Sequence, residues 1–102
     1  MQALEGKQID VALLFTSDAI IAVKSFVLLE DDKKLQLSDN VAPVVRNDLL
    51  AKGGDDFKKL INGVSAKLTT AELTELNKQV GVDKKDPKDV ASAWLKKQTL
   101  IK

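Results

Sequence analysis

Ile9-Asp10-Val11-Ala12-Leu13-Leu14-Phe15 leads without a break into Thr16-Ser17-Asp18, and these ten residues decide how the chain is read. A run of seven, apolar except for Asp10 and bounded by polar residues, has the length and ends of a buried strand of the parallel-sheet kind. Thr16-Ser17-Asp18 then offers N-cap side chains to a short helix over Ala19-Ile20-Ile21-Ala22-Val23, although β-branched residues lower its propensity. Upstream, residues 2–8 read as the end of a helix with Gly6 at its C-cap. Downstream, residues 26–29 read as a second short strand. Residues 30–40 read as a polar, extended crossing, with Leu35 and Leu37 alternating inside it. Residues 41–46 read as a third strand-like piece. Pro43 cannot donate to a ladder, so that piece belongs at an edge or hinge.

Beyond residue 46 the pattern turns helical. Asn47-Asp48 can start a helix over Leu49-Leu50-Ala51, and Gly53-Gly54 breaks it. Phe57, Leu60 and Ile61 share one face of the next helix. Thr69-Thr70-Ala71-Glu72 has the form of a capping box, followed by a Leu73, Leu76, Val80 stripe. Asp86-Pro87-Lys88-Asp89 is a strong helix start, with Val90, Ala93, Trp94 and Leu95 on the expected buried face. The expected fold class is α/β: few strands, then three or four short helices, forming part of a larger body, because so few strands cannot cover both faces of a parallel sheet.

Composition narrows the chemistry. The 102 residues allow one domain, with 44% hydrophobic and 30% charged residues. Sixteen basic and 15 acidic residues give a net charge of +1. The lysines interleave with acids, which provides no basic face for nucleic acid. The absence of histidine and cysteine removes His-based nucleophile pairs, disulfides and zinc sites. No metal, cofactor or catalytic residue is expected, and the protein is expected not to be an enzyme. Met1-Gln2-Ala3-Leu4-Glu5-Gly6-Lys7 lacks the apolar region of a signal peptide. Glu30-Asp31-Asp32 lacks the glycine and ligand spacing of a calcium loop and is expected to be a solvated turn.

The site candidates sit where strands end, the place at which open α/β sheets bind ligands. Phe15 could line a pocket with its ring, and Thr16 and Asp18 follow it; Asp39 and Asn40 precede the third strand-like piece. Each also has a structural alternative: a core phenylalanine, a helix cap, a turn.

Six segments in order carry a resemblance: residues 12–18, 27–34, 40–46 (Asn-Val-Ala-Pro-Val-Val-Arg), 64–70, Leu76-Asn77, and 86–91. Together they resemble the C-terminal part of substrate-binding proteins of osmoprotectant ABC importers, the glycine betaine, choline and carnitine group. The resemblance implies a type II periplasmic-binding-protein fold with two lobes: residues 1–32 ending the second lobe, residues 33–41 crossing back, and residues 42–102 completing the first. It implies an extracytoplasmic setting, periplasmic or lipid-anchored, in the parent protein. Its implied partners are a small cationic or zwitterionic solute, an ABC permease, and the remainder of the binding protein or a second copy in a domain-swapped oligomer. In the family a quaternary ammonium group sits in a cage of aromatic rings. By position, Phe15 stands where a cage tyrosine is common, and Asp18 matches the aspartate of a Thr-Thr-Asp-Gly-Arg turn, with Ala19 and Ile20 in place of the glycine and arginine. Asp39 stands where a second cage tyrosine would precede Asn40, and the chain contains no tyrosine. The alternative expectation is a self-associating structural or effector-sensing α/β domain without a transport role.

Overall fold

The computed structural model describes residues 1–37 and 40–102. Five helices follow one another: α1 (Gln2–Glu5), α2 (Ala19–Val23), α3 (Asn47–Lys67), α4 (Thr70–Gly81) and α5 (Pro87–Lys97).

Among the described residues there is no strand, which corrects the expected α/β, periplasmic-binding-protein type fold. The runs at 9–15, 26–29 and 41–46 lack ladder partners, and a strand is stable only when paired. Their apolar side chains lie in solvent: Leu13 is 83% exposed and Val27 84%. Hydrophobicity and length were sound evidence that these residues need burial. They were not evidence that this chain supplies the burial.

Phe26, read as the start of a strand, instead completes the end of α2. Its N–H donates to Ile21 C=O at 3.0 Å, and the Ser25 N–H donates to Ala22 C=O at 3.4 Å, with Ser25 at φ 53°. This is a Schellman motif, and Phe26 and Ile21 occupy its hydrophobic-contact positions. Thr99 and Leu100 end α5 in the same way.

Gly54 breaks α3 as expected, with φ 60° and ψ −156°, a region open essentially to glycine alone. At Gly53 a Cβ would stand 2.6 Å from Phe57 Cβ, so the close approach of that ring requires glycine. Phe57 and Ile61 are half-buried beside Pro43 and Val45, whereas Leu60, expected on the same face, is exposed.

The packed part of the molecule is α2 on α4 and α4 on α5; α3 packs on no other helix among the described residues. Val90 and Trp94 of α5 are the buried hydrophobic residues, at 5% and 7% exposure; Leu95 is half-buried, and Ala93, expected inside, is exposed. Asp86 caps α5 by accepting from the Lys88 and Asp89 N–H groups at 2.8 and 3.2 Å. Thr69 Oγ1 accepts from the Glu72 N–H at 3.2 Å, one half of the capping box. The other half does not form. Thr69 N–H already bonds to Lys67 C=O, and the Glu72 carboxylate turns to α5, accepting from Trp94 Nε1 at 2.8 Å and Lys97 Nζ at 3.0 Å.

The chain is open for its size. Its radius of gyration is 17.2 Å, against about 13 Å for a compact domain of this length. Its accessible surface is 8544 Å², roughly one and a half times that of a compact protein of equal mass.

Candidate functional site

The turn at residues 15–18 is closed from both directions. The Asp18 N–H donates to Phe15 C=O at 2.9 Å, and the Phe15 N–H donates to Asp18 Oδ2 at 3.2 Å. Asp18 stands at the N-cap of α2, but its carboxylate holds this turn and does not cap the helix.

The carbonyls of Thr16 and Ser17 point to α4. Asn77 Nδ2 donates to Ser17 C=O at 2.9 Å, and Thr74 Oγ1 lies 3.2 Å from Thr16 C=O. Thr74 also donates to Thr70 C=O, within its own helix, at 2.8 Å. One hydroxyl proton serves both acceptors and the shorter contact dominates, so Asn77 carries most of the link.

With its backbone turned to α4 and its aspartate holding the turn, the turn presents the ring of Phe15, 69% exposed, to solvent. An exposed aromatic face attracts cations, and more strongly once water is excluded. Beside the turn, a shallow groove of about 610 Å³ runs between α2 and α4, lined by Thr16, Ile21, Phe26, Thr70, Thr74 and Glu75 among others. Phe15, Thr16 and Asp18 are thus brought together. Asn40 is exposed and makes no hydrogen bond to the turn among the described residues. Asp39 lies outside the described residues.

Electrostatics supports the scaffold around this turn. Lys97, and then Trp94, hold the Glu72 carboxyl below its ordinary value by bonding to the charged form. The Gln36 and Leu35 N–H groups do the same for Asp31, at 2.7 and 3.0 Å. Asp31 therefore closes the local turn over residues 31–36, a duty that the sequence concealed within an acidic run. Asp83, hydrogen-bonded to Lys78 at 3.1 Å, raises the lysine above its ordinary value. Among the described residues no group of three or more carboxylates is placed to hold a metal ion.

Thr74 and Asn77 were absent from the sequence-based candidates. One signal pointed to Asn77: asparagine is a poor residue for a helix interior, and here it interrupts α4 between the Leu76 and Val80 positions of the apolar stripe.

The chain matches known proteins over nearly its whole length. Residues 1–97 match the family described as the substrate binding domain of ABC-type glycine betaine transport systems, and the chain belongs to that family. A carnitine transport binding protein of Listeria monocytogenes is 33% identical over 95 residues, covering 93% of this chain and 30% of the relative. A glycine-betaine-binding protein of Pseudomonas aeruginosa is 28% identical over 99 residues, covering 97% of this chain and 32% of the relative. An ergothioneine transport permease/ergothioneine binding protein of Helicobacter pylori is 29% identical over 96 residues, covering 94% of this chain and 17% of the relative. The chain spans about a third or less of the length of these curated relatives. No solved structure matches.

Proposed function

We propose that this chain contributes one wall of the solute cleft in a non-catalytic binding protein serving an ABC importer, outside the cytoplasm. The solute is a small quaternary ammonium or zwitterionic osmoprotectant of the glycine betaine, choline and carnitine class. The observation that carries this is the family match over residues 1–97, joined to an exposed Phe15 ring on a turn whose backbone is pinned to α4. In this scheme Phe15 faces the cationic head, with Thr16 and Asp18 beside it. Asp39 and Asn40 approach from the crossing. Residues 1–32 and 42–102 belong to two lobes, which meet where the turn rests on α4. The remainder of the binding protein covers the exposed apolar runs, and an ABC permease receives the solute.

Calorimetric titration of the full-length protein carrying these residues, with glycine betaine, choline and carnitine, tests the proposal. Saturable one-to-one binding of at least one solute is expected. Absence of binding to all three would reject it.

The exposed apolar side chains favour a second possibility, self-association of a structural or effector-sensing domain with a second copy. Light scattering separates the two: a concentration-dependent oligomer that binds no solute supports the second.

A further inference from the structure

We propose that Asn77, assisted by Thr74, is a positioning residue for the solute site. It touches no solute itself. It fixes the turn that presents Phe15, and so deepens the function proposed above, on which it rests.

Two internal hydrogen bonds, Asp18 N–H to Phe15 C=O and Phe15 N–H to Asp18 Oδ2, give the turn its shape but do not fix its orientation in the molecule. Before the turn, residues 11–14 belong to no helix or strand and make no backbone hydrogen bond among the described residues; after it comes α2, only five residues long. A five-residue helix is too short to be stable alone in water. Orientation therefore depends on what crosses to another element: α2 packs on α4, and the hydrogen bonds that cross from the turn itself come from Asn77 and Thr74, sixty and fifty-eight residues away in sequence.

The donors also rest on a firm base. α4 is tied to α5 through Glu72, which accepts from Trp94 and Lys97, and Trp94 is one of the two buried hydrophobic residues. Glu72 lies in the first turn of α4 and Asn77 five residues further along, so that helix connects the core to the turn. An aromatic ring used for cation–π contact must be held at a set distance and tilt, because the attraction falls away beyond about 6 Å. Asn77 adds a directional tie to the packing of α2 on α4, and a preorganised site binds more tightly because less ordering remains to be done on binding.

The test has a direct arm and a functional arm. In the 102-residue chain, nuclear magnetic resonance should detect scalar coupling through the hydrogen bond between Asn77 Nδ2 and the Ser17 carbonyl carbon. Asn77→Asp keeps the shape and removes the donor. It should abolish the coupling, move the Ser17 carbonyl resonance upfield and speed exchange of the Asp18 amide. Trp94 emission should stay unchanged. Asn77→Gln, which keeps the donor, should restore part of the carbonyl shift. In the full-length protein, Asn77→Asp should weaken glycine betaine binding roughly fivefold, the worth of one net hydrogen bond.

Absence of the coupling in the unsubstituted chain overturns the proposal, whether or not any variant folds. So does unchanged affinity in Asn77→Asp when the unsubstituted protein binds solute. If the coupling is present but the unsubstituted protein binds no osmoprotectant, the solute assignment fails and the role of Asn77 in binding fails with it. Asn77 then remains only a structural tie, which the two arms together distinguish.

Discussion

Trp94→Ala examines the structural account where it is most exposed to failure. The indole is 7% exposed and packs α5 on α4. A tryptophan buries on the order of 200 Å². At about 25 cal/mol per Å² this corresponds to roughly 5 kcal/mol. That is an upper figure, because the unfolded chain already shields part of the ring, and measured truncations of this kind cost about 3–5 kcal/mol. Small domains have total stabilities of about 5–15 kcal/mol. With so little buried and an accessible surface of 8544 Å², this chain belongs at the low end. Trp94→Ala is therefore expected to remove the cooperative melting of α4 and α5, which hold 12 and 11 residues. Helical signal from α3, which does not pack on them, should persist. Circular dichroism at 222 nm against temperature reads both parts. Trp94→Phe keeps a ring but loses the Nε1 donor to Glu72, and should fall between the two. A midpoint in Trp94→Ala within about 4 °C of the parent, equivalent to no more than about 1 kcal/mol, would refute the claim that this residue holds the packed helices.

Two further outcomes follow from local features. Ser25 adopts φ 53° at the end of α2, where a Cβ is strained. Ser25→Gly should stabilise the chain by about 0.5–1 kcal/mol, after allowing for the greater freedom of glycine when unfolded; a melting midpoint raised by roughly 2–8 °C is the expected result. On acidification, Asp31 and Glu72 both have folded values below their ordinary ones of 3.8 and 4.5. Their contribution is fully present above those ordinary values and is lost as pH falls through the lower folded values. Stability should thus be flat from neutrality to about pH 4.5 and decline below it, as read by denaturant titration; Glu72→Gln should flatten part of that decline.

Much of the helical half was legible because its signals are local. Asp86-Pro87 starts a helix through its own side chain and ring, Thr69 caps α4 within three residues, and Gly54 breaks α3 through a torsion that other residues avoid. The expected strands failed because pairing is not local. Residues 9–15 have a strand's pattern, yet the described chain offers nothing beside which to pair them. Glu72 shows the same limit on a smaller scale: its spacing from Thr69 fits a capping box, but Trp94 and Lys97, 22 and 25 residues further on, claim the carboxylate. Phe15, Thr16 and Asp18 are proposed from their position after an apolar run, and the six-segment resemblance led to the family that residues 1–97 match. Asn77 left only a weak mark, an asparagine inside a helix, because its partner is a backbone carbonyl that no sequence pattern records.

The measurement that bears most directly on the account is titration of the full-length protein with glycine betaine, with and without Phe15→Ala. Saturable binding in the unsubstituted protein, weakened roughly thirtyfold by loss of the ring, is the predicted result, since a desolvated cation–π contact is worth about 2 kcal/mol. Binding that Phe15→Ala leaves unchanged would contradict the placement of the solute against this turn, and absence of binding to glycine betaine, choline and carnitine alike would contradict the proposed function itself.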